Sequence, residues 1–258
     1  MAQIKIAFFD IDGTMIDMQK KKISGRMVRT LHQLQQNGIR ICVATGRAPM
    51  TLPCFQDVTF DLWLTFNGSL CYDSRRTLIR NPLLPSDVHT IIANARSINR
   101  PVSLATASRL AANGADQDLI DYYAISKQRV EIAEDFDEVA CQDVYQIMMG
   151  CRKEEYARIM KDVQNAKIAA WWDRAADIIP ANGGKGIAVT ALLRQLGLRR
   201  EEALAFGDGE NDIDMLQAVG HGVAMGNASQ AVKQAAEECC GPVEEEGITE
   251  YCLRHHLI

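Results

Sequence analysis

No stretch of this chain approaches about 18 uninterrupted apolar residues, and Lys5 and Asp10 break the N-terminal apolar run before a signal-peptide core could form. The expectation is a soluble, cytoplasmic protein with no membrane partner. Paired-cysteine spacing is also missing: the 8 cysteines (42, 54, 71, 141, 151, 239, 240 and 252) contain no CxxC, and Cys42 lies inside an apolar strand pattern. Reduced packing thiols are therefore expected rather than zinc ligands or disulfides. Positive charge is scarce, with 28 Lys and Arg against 33 Asp and Glu, a net charge of -5 and a pI near 5.6. That balance provides no electrostatic footprint for nucleic acid, and the three-residue basic run Lys20-Lys21-Lys22 reads as a solvated loop. His89, His221, His255 and His256 lack the paired spacing of metal ligands. Repeats, low-complexity tracts and any signature of oligomeric state are absent as well.

What remains is an ordinary globular composition, 47% hydrophobic and 24% charged over 258 residues, enough for one large domain or a core with an inserted module. From the N-terminus the pattern alternates: strand 4–9, helix 25–37 closed by Gly38, strand 39–44, then strand 62–66. The rhythm returns late, with helix 185–196 closed by Gly197, strand 203–206, helix 211–218, strand 221–224 and helix 228–238. Such alternation predicts an α/β fold built on a doubly wound parallel sheet. Between the halves the rhythm changes to helices near 85–97 and 153–164 interleaved with β-like runs at 101–106, 128–132, 143–149 and 167–172. The reading is a core made of 1–81 and 181–258, interrupted by an inserted α+β module over 82–180 that rests over the sheet.

Chemistry gathers where predicted strands stop. Asp10-Ile11-Asp12-Gly13-Thr14 follows the run Ile4 to Phe9, and extended residues at i and i+2 face one way, so the two carboxylates share one small volume. Their repulsion raises one pKa unless a cation intervenes. The pair is either a metal site with one acid free for chemistry or a turn cap in which Gly13 supplies a positive φ. Val43-Ala44-Thr45-Gly46-Arg47 ends the next strand, where the Thr45 hydroxyl and the turn N–H groups either hold a phosphate oxygen or make an ordinary turn. Gly183-Gly184-Lys185-Gly186 opens a helix whose positive end suits an anion, although Gly186 stands where a Walker loop needs Ser or Thr. In Gly207-Asp208-Gly209-Glu210-Asn211-Asp212, four acidic or amide side chains crowd one strand end, which is costly without a cation. In a doubly wound sheet all four segments converge on the crevice beyond the strands' carboxyl ends.

The chain resembles the haloacid dehalogenase-like phosphatases, specifically the Cof-like subclass IIB with its large α/β cap of the C2 type. The resemblance is carried by FFDIDGT (8–14), ATGR (44–47), FNG (66–68), GGKG (183–186) and GDGEND (207–212), in order along essentially the whole length. Met15 stands where that family usually has Leu, and Gly183-Gly184 where it varies. The resemblance implies a Rossmann-like core and a Mg²⁺-dependent phosphatase of small phosphorylated metabolites, sugar phosphates foremost. Asp10 would be the nucleophile that becomes an aspartyl-phosphate, and Asp12 the acid that protonates the leaving oxygen and then activates water. Mg²⁺ would be held by the Asp10 carboxylate, the Asp12 carbonyl and Asp208. Thr45, the Gly46 and Ile11 N–H groups, Lys185 and Asn211 would bind the phosphate oxygens. Asp212 either orients Lys185 or a metal-bound water, or is simply a first-turn helix acid. Asn67 either approaches substrate or serves an Asn-Gly turn into a hairpin-like 69–79 segment, and Arg47 either clamps substrate or pairs with an acid. A phosphomutase of the same fold and a catalytically silent metabolite-binding regulator are the alternatives to hydrolysis.

Overall fold

The computed structural model describes all residues except Met1, Ala2, Gln56, Asp57 and Lys127, and the side chain of Trp171. Its main sheet has eight strands. Ile6–Phe9 is entirely buried and pairs in parallel with Arg40–Ala44 on one side and Ala203–Gly207 on the other, as a continuous apolar run does when both faces of a sheet are covered. Outward from there the order runs through Leu62–Thr65, Leu70–Tyr72 and Thr77–Arg80 at one edge, and through His221–Ala224 and Glu238–Cys239 at the other. Leu62–Thr65 is parallel to its inner neighbour and Leu70–Tyr72 turns back antiparallel. The chain thus builds one side of Ile6–Phe9, leaves, and returns to build the other, which puts the topological switch point at the three central strands.

Helices follow from their own sequence signals. Gly25–Gln36 is capped by the Ser24 hydroxyl, which accepts from the Met27 N–H, and buries Met27, Thr30, Leu31 and Leu34 along one stripe. Lys185–Gln195 packs Ala188, Val189, Leu192 and Leu193 into the sheet's core beside Phe8, Cys42 and Leu64. Phe9 stacks on Phe206 at 5.4 Å, and Tyr251 meets Phe206 edge-on, so Gly247–Arg254 closes the opposite face.

Proximity of Cα atoms divides the chain into two compact units, one of Met1–Gly46, Pro53–Ile79 and Gly184–Ile258, the other of Arg47–Leu52 and Arg80–Gly183. Residues 47–52, expected with the core, thus group with the second unit. That unit holds a five-stranded antiparallel sheet in the order Ala166–Trp172, Ala175–Pro180, Gln146–Gly150, Ser103–Ala105, Leu110–Ala112. Leu104, Ile147, Met149 and Ile178 line its buried face against Val88, Ile91 and Ala95 of the Pro85–Ser97 helix.

Three predicted elements differ. The run at 128–132 makes only an isolated bridge, Ala112 to Ile132. The helix at 153–164 is a 3₁₀ turn, Lys153–Glu155, followed by Tyr156–Ile159. Asp162 is left-handed there, and the Gln164 and Asn165 N–H groups donate to the Asp87 carboxylate instead of continuing a helix. The helix at 228–238 is only Gln230–Ala235, because Glu237 donates its N–H to the Gly222 carbonyl and Glu238–Cys239 joins the sheet edge. All eight cysteines carry free thiols. Among the described residues no helix is long and apolar enough to cross a membrane.

Candidate active site

Asp10, Thr45 and Asp208 each follow one of the three central strands, so the sheet itself brings three distant parts of the sequence to one rim. Asp10, Asp208 and Asp212 offer carboxylate oxygens that all lie within 4.8 Å of one another. Lys185, at the first turn of its helix and wholly buried, donates to Asp10 Oδ1 at 2.7 Å and to Asp212 Oδ1 at 2.5 Å. The second oxygen of Asp212 accepts the Asp208 and Gly209 N–H groups at 3.1 and 3.0 Å. Asp212 is therefore occupied on both oxygens as the counter-ion of Lys185 and a clamp on the Asp208 turn. Asp208 keeps neutral donors: the Thr14 hydroxyl on Oδ1 at 2.7 Å and the Asn227 amide toward Oδ2 at 3.4 Å.

The electrostatics follow from this crowding. Burial pushes Asp10 well above the usual carboxylate range against the pull of Lys185, and the charges of Asp212, Asp208 and Asp12 add to the rise. Burial also lifts Asp208 to about 6, with the Thr14 hydroxyl opposing it. Burial alone would lower the Lys185 pKa, but Asp10 and Asp212 outweigh it and hold the ammonium above the ordinary lysine value. The donor set is thus hard, anionic and oxygen-only, with a single ammonium against three carboxylates, which is the chemistry that suits a small divalent cation.

Gly13 explains how the turn closes. Its φ is +85°, and a Cβ there would stand 2.3 Å from Asp208 Oδ2, so the backbone after Asp12 passes directly beneath that carboxylate.

A second cluster adjoins Thr45, which is buried. Asn67 is left-handed at φ 52°, ψ 36° and follows Phe66 at φ 51°. Its N–H donates to the Thr45 carbonyl at 2.9 Å, and its Oδ1 accepts from the Asn211 amide at 3.1 Å. A Cβ on Gly46 would approach the Asn67 amide to 3.2 Å. Two consecutive non-glycine residues in that conformation are strain that a function can justify. Ile11 is buried with its carbonyl turned back to the N–H groups of Thr14, Met15 and Ile16. Asp12 is half-buried, and its charge is felt at both Asp10 and Asp208.

The geometry therefore unites Asp10, Asp208, Asp212 and Lys185, and joins Asn67 to Asn211 and Gly46. Arg47 groups with the second unit, and its guanidinium donates to the Thr51 carbonyl at 2.8 Å. Sequence reading passed over Thr14 as a partner of Asp208 and missed Asn227 altogether. The latter had a signal, an Asn on the loop beyond the next parallel strand, in Met225-Gly226-Asn227.

Residues 7–251 match the profile of the haloacid dehalogenase-like hydrolases. The chain belongs to that family. It is a hydrolase of phosphoric monoesters, and its resemblance to subclass IIB holds at the level of structure: a solved subclass IIB sugar phosphatase superposes with a TM-score of 0.88 at 25% identity, over 98% of this chain and 100% of that one. A solved Geobacillus kaustophilus protein reaches 31% identity and a TM-score of 0.87, over 99% and 100% of the two chains. Among curated proteins, the Bacillus subtilis 5-amino-6-(5-phospho-D-ribitylamino)uracil phosphatase YitU is 28% identical over 94% of both chains. A Yersinia pestis HMP-PP phosphatase is 26% identical over 98% of this chain and 95% of its own. Phosphatases of this family use a divalent metal, and the carboxylate cluster has the donors for one.

Proposed function

We propose that this hydrolase is a Mg²⁺-dependent phosphatase of small phosphorylated metabolites, sugar phosphates foremost, working through an aspartyl-phosphate on Asp10. The observation that carries the reading is Asp10 itself, a buried carboxylate at the end of the central strand, bonded to Lys185 and within 4.8 Å of Asp208. Asp10, the Asp12 carbonyl and Asp208 would hold Mg²⁺, which when bound supplies charge neutralisation for three crowded carboxylates and an incoming dianion. With that charge balanced, Asp10 is ionised and nucleophilic despite its burial.

An Asp10 oxygen forms a bond to phosphorus while the bond from phosphorus to the substrate's alcohol oxygen breaks, and Asp12 delivers its proton to that oxygen. Asp12, now ionised, takes a proton from water, whose oxygen attacks the same phosphorus and restores the Asp10 carboxylate with release of inorganic phosphate. Lys185, Asn211, the Thr45 hydroxyl and the Gly46 and Ile11 N–H groups hold the nonbridging oxygens, where charge spreads during transfer. Asp212 orients Lys185. Asn67 orients Asn211 and faces the same oxygens. Residues 82–180 are the inserted module of this reading.

The test is phosphate release from a panel of phosphorylated metabolites with and without Mg²⁺, beside the Asp10→Asn variant. Metal-dependent release that falls by at least about a thousandfold in the folded variant is expected, the scale on which an essential nucleophile acts. Undiminished turnover in Asp10→Asn would sink the assignment.

A further inference from the structure

Asn227 has three contacts that together define a task. Its side-chain amide donates to the Gly13 carbonyl at 2.8 Å and reaches Asp208 Oδ2 at 3.4 Å, while its Oδ1 accepts the Val243 N–H at 3.0 Å. The Val243 contact fixes which end of the amide faces inward, because only the NH₂ end can then serve both Gly13 and Asp208. The loop that carries it is tied to the same strand end as Asp208, through the Met225 N–H to the Gly207 carbonyl at 3.0 Å.

From this geometry we infer that Asn227 is a positioning residue that fixes the orientation of Asp208 and thereby sets the strength of divalent-metal binding. The inference rests on the reading of Asp208 as a metal ligand. The last torsion of an aspartate is broad and roughly two-fold, so one hydrogen bond, from Thr14 to Oδ1, leaves the second oxygen free to swing. The neighbouring charges of Asp212 and Asp12 would drive that swing. Asn227 holds the second oxygen, and by gripping the Gly13 carbonyl it also holds the turn that passes beneath the carboxylate.

The choice of donor matters as much as its place. Asp10 has an ammonium partner in Lys185, whereas Asp208 is held by a hydroxyl and an amide, both neutral. Neutral donors orient a carboxylate without spending its charge, so the full negative charge of Asp208 is left for a cation. Outer hydrogen-bond partners of metal ligands act in this way and typically govern affinity about 10- to 100-fold.

The experiment is Mg²⁺ titration by calorimetry into metal-free wild type, Asn227→Ala and Asn227→Asp, with thermal unfolding of each metal-free protein and phosphatase rates across Mg²⁺ concentrations. Asn227→Asp keeps an acceptor for the Val243 N–H and loses the donor toward Gly13 and Asp208, so it separates the loop anchor from the positioning role. Asn227→Ala is expected to bind Mg²⁺ about 10- to 100-fold more weakly, in line with other second-sphere partners, whereas Asn227→Asp, which brings a carboxylate of its own, reports through its thermal unfolding that the loop anchor alone survives. The rate of Asn227→Ala should climb back toward wild type at saturating Mg²⁺, a rescue that general structural damage would not permit. If wild type binds Mg²⁺ and Asn227→Ala binds it equally well, the positioning role is wrong while the phosphatase reading stands. If wild type binds no Mg²⁺ at all, the metal reading fails and takes this inference with it.

Discussion

At the scale of single residues, Lys185 is the group on which the others depend. It is a fully buried ammonium whose two carboxylate partners are themselves buried, and removing one member of such a group leaves uncompensated charge in a poorly solvated place. Lys185→Met should therefore destabilise the metal-free protein by about 3–5 kcal/mol, and Asp212→Asn added to it should recover part of that loss; urea unfolding of the two variants beside wild type checks both. Asp208 makes a prediction in pH. Its folded-state pKa, about 6, lies above its ordinary 3.8, so the folded protein holds that proton more tightly than the unfolded chain does. The stabilisation is full below about pH 4 and disappears as pH rises through 6, because the unfolded state there binds fewer protons. Metal-free Asp208→Asn should lack this component, so the stability of wild type relative to the variant should fall as pH rises across that window. Mg²⁺ affinity of wild type should fall on acidification through the same range, since cation and proton compete for one carboxylate. Asp10, Asp12, Asp208 and Lys185 were all legible as candidates because each follows a punctuated apolar run. Thr14 was not, since a hydroxyl acquires its importance only from what stands across from it, here Asp208 194 positions away, and Asn227 offered only its place on the loop after a parallel strand.

At the scale of elements, strand ends carry the site and one turn carries the strain. Phe66 and Asn67 are both left-handed, a conformation that costs a side-chain-bearing residue about 1–2 kcal/mol. Asn67→Gly should relieve the backbone term and leave the thermal midpoint unchanged or higher, while the loss of the contact with Asn211 lowers phosphatase activity. Parallel measurement of melting and turnover decides the matter; a fall in stability with full activity would mean that the turn is structural only. Strands and helices of the main sheet were readable because their apolar runs are bounded by Gly, Pro or acidic residues. Where the reading failed, a backbone group had found a distant partner: Glu237 leaves its helix for the Gly222 carbonyl, and Gln164 and Asn165 leave theirs for Asp87. Local sequence does not encode those competitors. The short hairpin of Ile16–Asp17 and Lys22–Ile23 went unseen because two-residue strands have no periodicity to read.

At the scale of the molecule, the parallel order of the central strands was implied by alternation, and the fold class follows from it. The limits of the second unit were readable only approximately, from a change of rhythm. The return of short segment 47–52 to that unit had no sequence signal, because nothing in its composition says which side it packs on. One property of the main unit concerns the order in which its parts come into being. The Ile6–Phe9 strand has neighbours at Arg40–Ala44 and at Ala203–Gly207, so on the ribosome it stands half-flanked until residues 203–207 have been made. Lys185 and Asp208 emerge in that same late stretch, whereas the Arg80–Gly183 segment is already whole. A nascent chain thus carries the Asp10 carboxylate without its Lys185 ammonium until the returning segment is made, and the buried cluster assembles together with the closing of the sheet.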